Sequence, residues 1–154
     1  MEQHFPIQRI IDEEGRIIDA SKEHDLTKEL ALTLYEQMHR IRTFDRKAIN
    51  LQRQGRLGTY APFEGQEAAQ VGSALALSDQ DWLFPTYRDH GATLTFGSDM
   101  VRTFLYWNGC VEGCVPSEQH IFPPAVPIAT QMPHAVFAAG AATPQGPPTI
   151  AVPY

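Results

Sequence analysis

The stretch DWLFPTYRDHGATL, Asp81 to Leu94, decides how the chain is read. Three large apolar residues, Trp82 to Phe84, run into Pro85, which predicts a short buried strand that stops there. An aromatic hydroxyl, a guanidinium, a carboxylate and an imidazole then stand side by side, from Tyr87 to His90. In open α/β sheets, ligands lie beyond the carboxyl ends of the strands, so this is where binding groups belong. Arginine offers a rigid fork of donors suited to phosphate, and a tyrosine hydroxyl adds one more. Tyr87 and Arg88 together suit a diphosphate. The same residues also allow a structural reading, in which Arg88 pairs with Asp89 or another acid and Tyr87 packs at a sheet edge. His90, before a glycine, reads as a turn or helix-start residue.

Outward from this stretch the pattern alternates helix and strand. Upstream, Leu34, Met38, Ile41, Phe44, Ala48 and Leu51 recur at three- and four-residue steps, predicting a long amphipathic helix from an N-cap at Asp25 to just before Gly55. Lys28, Glu36, Arg40, Arg46, Lys47 and Arg53 form its polar side, either solvated or set against another subunit. EGQEAAQVGSALAL, after Pro62, predicts a helix whose small residues allow close approach. Downstream, Ser98 and Asp99 can cap a helix bearing Met100, Val101, Phe104, Leu105 and Trp107. The segment CVPSEQHIFPPAVPIATQMP holds five prolines and reads as a long loop. HAVFAAGAA reads as a helix and PTIAVPY as a strand. The order implies an α/β fold with a parallel sheet between helices. A buried parallel strand should lead into a covering helix, so the sequence reads as stopping inside the fold, which is incomplete.

Of the 154 residues, 1–24 read as an N-terminal arm with a small hairpin at IQRIIDEEGRIIDA, and 25–154 as one α/β domain. The formal net charge of -6 and the lack of a basic stripe argue against a nucleic-acid surface. The first residues lack a signal-peptide core, and no run reaches the roughly 18 to 20 apolar residues of a membrane span. A cytoplasmic protein is expected. Cys110 and Cys114 are the two cysteines; a metal site can be drawn with Glu112 and His120, but two partly buried thiols are the simpler expectation.

Four separated segments, LQRQGRLGTYAPFEGQEAAQVGSALAL, DWLFPTYRDHG, FLYWNG and AVPIATQMPHAVFAA, fall in an order that resembles the alpha subunit of thiamine-diphosphate-dependent 2-oxo acid dehydrogenases. The resemblance runs from Phe5 to Tyr154. It implies a thiamine diphosphate-binding fold, oxidative decarboxylation of a 2-oxo acid, and acyl transfer to a lipoyl acyltransferase core. It further implies a beta subunit in an alpha2-beta2 heterotetramer. By resemblance, Tyr87 and Arg88 contact the diphosphate, and Val126 and Ile128 touch the cofactor through main chain and packing. Pro127, Thr130 and Gln131 match a potassium site of branched-chain relatives, while Ala125 stands where those relatives carry a serine ligand; without potassium, Thr130 and Gln131 brace the loop. His120 is expected near the substrate and His134 in packing. The magnesium motif, Gly-Asp-Gly followed by an asparagine, is absent and would be expected just after PTIAVPY; without it the chain is expected to bind the cofactor weakly or not at all and to be inactive alone, the activity being that of the parent subunit. Pyruvate is the expected substrate, with branched-chain 2-oxo acids or acetoin as alternatives. A further alternative is an inactive truncated product that only binds other subunits.

Overall fold

The computed structural model describes residues 9–21, 26–114, 119–142 and 149–154. The chain divides into two compact units, Met1–Tyr35 and Glu36–Tyr154. In the first, Ile11 and Ile17 pair in an antiparallel bridge, the hairpin expected from the two short apolar runs. Asp12 makes the turn: its carboxylate accepts from the amides of Glu14 at 3.0 Å and Arg16 at 2.8 Å. Gly15 takes the left-handed φ of 79° that the turn needs.

Helix α1 spans Lys28–Arg53. The expected N-cap, Asp25, lies outside the described residues, and a cap is supplied by Thr27, whose Oγ1 accepts from Leu30 N at 3.1 Å. In the second unit, the buried residues of α1 are Ile41, Phe44, Asp45 and Ala48. Three of these continue the apolar repeat and the fourth is a carboxylate.

Helix α2, Glu67–Leu75, leads to strand β1, Trp82–Phe84, which ends at Pro85 as the sequence predicts. Strand β2, Ala151–Pro153, pairs with β1 in parallel, with Leu83 opposite Val152. Asp81 joins the two strands at their entry. Its carboxylate accepts from Ile150 N at 2.8 Å and from Ser78 N at 2.8 Å, and these bonds hold its pKa below the usual carboxylate range.

The proline-rich segment is not wholly loop. Val115–Glu118 lie outside the described residues, but beyond them Ile121 and Ala125 make parallel bridges to Leu83 and Thr86. The amides of Phe122 and Ala125 donate to the carbonyls of Leu83 and Pro85 at 2.8 and 3.2 Å. Prolines 123 and 124, which have no N–H, fall between those donors, so the segment lies along β1 without forming a continuous ladder.

Side chains alternate across β1. Leu83 packs with Ala74 of α2 and Ala92 of α3, the helix His90–Thr95. Phe84 stacks on Phe122 at 5.2 Å, and Phe122 meets His134 of α5, Gln131–Ala142, at 4.9 Å. The parallel strands thus lie between helices, an α/β arrangement. Helix α4, Met100–Trp107, is capped by Asp99, whose carboxylate accepts from Arg102 N at 2.9 Å, and is followed by a one-turn 3-10 helix, Val111–Cys114.

Helix α2 approaches α3 closely, as its small residues suggest, but the glycine at the contact is Gly91 of α3 and not Gly72 of α2. A Cβ on Gly91 would lie 2.6 Å from Gln70 Oε1, 2.9 Å from Ile41 Cδ1 and 3.0 Å from Phe63. Gly91→Ala should therefore lower the unfolding free energy by about 1–3 kcal/mol, the usual cost of overpacking, read from the urea midpoint. An unchanged midpoint would mean that these helices are not packed as described.

Candidate functional site

Pro85 ends β1 and the next turn presents Tyr87 and Arg88 at the carboxyl end of the sheet. The turn is built by Asp89, whose carboxylate accepts from Thr86 N at 2.8 Å and from the Thr86 hydroxyl. Asp89 is thus engaged with Thr86, while Arg88 Nη1 donates to the carbonyl of Pro62 and its guanidinium carbon sits 5.6 Å from the centre of the Tyr87 ring. That distance is within cation–π range. Gln70 fixes the backbone behind them: its Nε2 donates to Arg88 O at 3.1 Å and its Oε1 accepts from Ala92 N at 3.0 Å.

Tyr87 stands between two cavities. The smaller, about 60 Å³, has room for a few waters and is lined by His90, Thr93, Ser98, Arg102, Tyr106 and Trp107 among others. The larger is an open groove of about 760 Å³ that Tyr87 shares with Gly58, Thr59, Asn108, Cys110 and Val126. Two of the four residues expected at the cofactor, Tyr87 and Val126, therefore line one groove. Ile128 is 77% exposed and, like Arg88, is not part of either lining.

Behind the turn lies a buried polar chain that the sequence pattern does not disclose. Asp45, fully buried, accepts from the Tyr60 hydroxyl at 2.7 Å, from Phe63 N at 3.1 Å and from Glu64 N at 3.1 Å. A carboxylate only accepts, so Tyr60 gives its proton to Asp45 and takes a bond from His90 Nε2, 2.8 Å away. Burial and the Asp45 bond push the Tyr60 hydroxyl far above its ordinary pKa. His90 is caged by Phe44, Tyr60, Phe63 and Trp107, with ring centres 4.8 to 6.4 Å away. Desolvation in this cage, with the Arg88 charge adding to it, lowers the His90 pKa to about 3. Nearby, Glu67 is lowered to about 2, first by its bond with Arg42 and then by backbone bonds such as that from Gly65 N.

His120 lies flat on Trp82, rings 4.6 Å apart and 7° from parallel, with a buried Nδ1 that has no partner among the described residues. It lines neither cavity. Pro127 and Thr130 form an exposed turn, closed by Thr130 N donating to Pro127 O at 3.4 Å, in which Ala129 takes a left-handed φ of 69°. Gln131 opens α5 and is buried; its Nε2 donates to Tyr154 O, and its Oε1 is buried without a partner among the described residues. Cys110 is half-buried and Cys114 exposed, and among the described residues no three His, Cys, Asp or Glu groups come together to hold a metal.

A family model described as the dehydrogenase E1 component matches residues 35–152. The chain belongs to this family. The family depends on thiamine diphosphate. The chain is similar to a protein named pyruvate dehydrogenase E1 component subunit alpha from Acholeplasma laidlawii, 40% identical over 78% of this chain and 35% of that protein. It is also similar to one named 3-methyl-2-oxobutanoate dehydrogenase subunit alpha from Mycobacterium tuberculosis, 41% identical over 89% of this chain and 38% of that protein. A third, a pyruvate dehydrogenase E1 component subunit alpha from Staphylococcus aureus, is 35% identical over 97% of this chain and 41% of its own length. The chain thus spans about two-fifths of the length of the curated relatives it matches.

The depressed pKa of His90 fixes a pH dependence. Between pH 6.5 and 3 the unfolded chain binds a proton that the folded chain refuses, so stability is full above pH 6.5 and falls with acid through that window. Glu67 adds a second loss between 4.5 and 2. Unfolding free energy measured from pH 7 to 5 should fall with a slope approaching about 1.4 kcal/mol per unit, and His90→Gln should flatten it. An unaltered slope in that variant would show that the imidazole is not held neutral.

Proposed function

We propose that this chain carries the diphosphate-binding part of a 2-oxo acid dehydrogenase first component, on an alpha subunit that acts on pyruvate in the cytoplasm. The observation that carries the reading is the Tyr87–Arg88 pair just past the end of β1, with Tyr87 on a groove that also receives Val126. The donor set fits a diphosphate. Arg88 spends Nη1 on the Pro62 carbonyl, its other N–H groups are not engaged among the described residues, and Tyr87 offers a hydroxyl. When bound, thiamine diphosphate supplies the electron sink for decarboxylation. The chain's own residues hold its charged tail: Tyr87 and Arg88 donate to the diphosphate oxygens, while Val126 and Ile128 pack against the cofactor. Among the described residues no three His, Cys, Asp or Glu groups come together, and this reading gives magnesium no step.

Gln131 Oε1, buried beside the Pro127–Thr130 turn and unpartnered among the described residues, suits a monovalent cation such as potassium, with the Pro127 carbonyl and Thr130 hydroxyl as further oxygens. Ala125 contributes no side-chain oxygen. A substrate role for His120 requires its ring to leave Trp82. The partners that go with this reading are a beta subunit in an alpha2-beta2 assembly and a lipoyl acyltransferase core. Helix α5 supports a protein partner, with Met132, Val136 and Phe137 54 to 77% exposed. Branched-chain 2-oxo acids are the second reading, favoured by the 41% identity to the relative named for 3-methyl-2-oxobutanoate.

Calorimetry of the chain with its beta subunit tests the reading. Thiamine diphosphate should bind, Arg88→Ala should weaken it by about tenfold to a hundredfold and Tyr87→Phe by up to about tenfold, the worth of charge-assisted and single hydrogen bonds. Equal affinity in all three proteins would refute the diphosphate role. In potassium chloride the melting temperature should exceed that in choline chloride at equal ionic strength, and Gln131→Leu should abolish the difference. No difference in the unmodified chain would count against the cation seat.

A further inference from the structure

Two of the contacts that fix the Tyr87–His90 turn lead back to one buried carboxylate. Arg88 Nη1 donates to the carbonyl of Pro62, and His90 Nε2 meets the hydroxyl of Tyr60 at 2.8 Å. Pro62 and Tyr60 lie in the segment 60–64, which belongs to no helix or strand. That segment is held from beneath by the Asp45 carboxylate: Oδ1 accepts from the Tyr60 hydroxyl and Phe63 N, and Oδ2 accepts from Glu64 N. Asp45 occupies a position in α1 flanked by Ile41, Phe44 and Ala48, all buried, where an apolar side chain would pack. A carboxylate there loses its hydration and is tolerated only because three donors converge on it.

We propose that Asp45 is a positioning residue: through the segment 60–64 it sets the Pro62 carbonyl that aims Arg88, and through Tyr60 it sets His90 behind Tyr87. The inference rests on the diphosphate reading above and extends it from the residues that touch the ligand to the one that orients them. A guanidinium recognises phosphate oxygens by the geometry of its fork. One N–H fixed on Pro62 and one face on Tyr87 restrict the fork before a ligand arrives, so less freedom is lost on binding. Asp45 reaches the ligand only through these intermediates.

The test uses the full chain with its beta subunit, the variants Asp45→Asn and Tyr60→Phe, and two probes, thiamine diphosphate and unphosphorylated thiamine. Asp45→Asn should weaken thiamine diphosphate by about tenfold and leave thiamine unchanged. Tyr60→Phe, which keeps the Phe63 and Glu64 amide bonds to Asp45, should weaken thiamine diphosphate by less than about threefold. In parallel, nitrogen NMR of the isolated chain should show a distinct Arg88 Nη1 resonance, lost in Asp45→Asn and kept in Tyr60→Phe. An equal loss for both probes, or an Arg88 resonance indifferent to Asp45→Asn, overturns the proposal. If the unmodified assembly does not prefer thiamine diphosphate to thiamine, the diphosphate reading fails, and the NMR result still decides whether Asp45 holds Arg88. Should Asp45→Asn not fold, Asp45→Glu carries the same comparison, with the same two outcomes.

Discussion

A carboxylate with no access to water, on the apolar side of a long helix, is the constraint on which the second unit depends. Asp45 is fully buried, and each of its bonds reaches the same short segment, Tyr60 to Glu64. That segment has no ladder or helix of its own to satisfy its amides, so two of them are met by α1 instead. Phe63, buried beside it, then packs edge-on to His90, and α3 begins where that imidazole is seated. One buried acidic side chain therefore links the long helix, the irregular segment and the helix after the strand.

A second carboxylate has the corresponding role at the other end of β1. Asp81 fixes the entry of both parallel strands, so the exit of β1 is defined in space as well as in sequence. At that exit, neighbours of opposite character divide the labour. Asp89 is consumed by the Thr86 turn and His90 is kept neutral in an aromatic cage, which leaves Arg88 as the cation of the cluster. Tyr87, with its ring under that cation, faces both the small cavity and the open groove.

The features that rest on periodicity are legible in the sequence. The apolar repeat of α1, the Asp99 cap, the stop of β1 at Pro85 and the strand at AVP need only local chemistry. Asp45 is not legible, because a polar residue within an apolar stripe looks like a lapse in the pattern until its donors, 15 to 19 residues away, are in view. The available signal is its position, four residues after Ile41 on the buried side. His90 reads as a helix-start residue, and it is one, but its cage is assembled from α1, α4 and the segment 60–64. Prolines 123 and 124 suggest a loop and hide the bridges at Ile121 and Ala125, since pairing there depends on which amides remain to donate. Gln131 reads as a ligand or brace within a loop; its place in the first turn of α5 turns it inward.

The most direct measurement of the central interaction is a double-mutant cycle between Asp45→Asn and Tyr60→Phe, followed by equilibrium denaturation. A buried hydrogen bond to a charged acceptor should give a coupling free energy of about 1.5–3 kcal/mol. Additive losses, with coupling near zero, would mean that the carboxylate does not hold the phenol and that the strand-end cluster is fixed by other means.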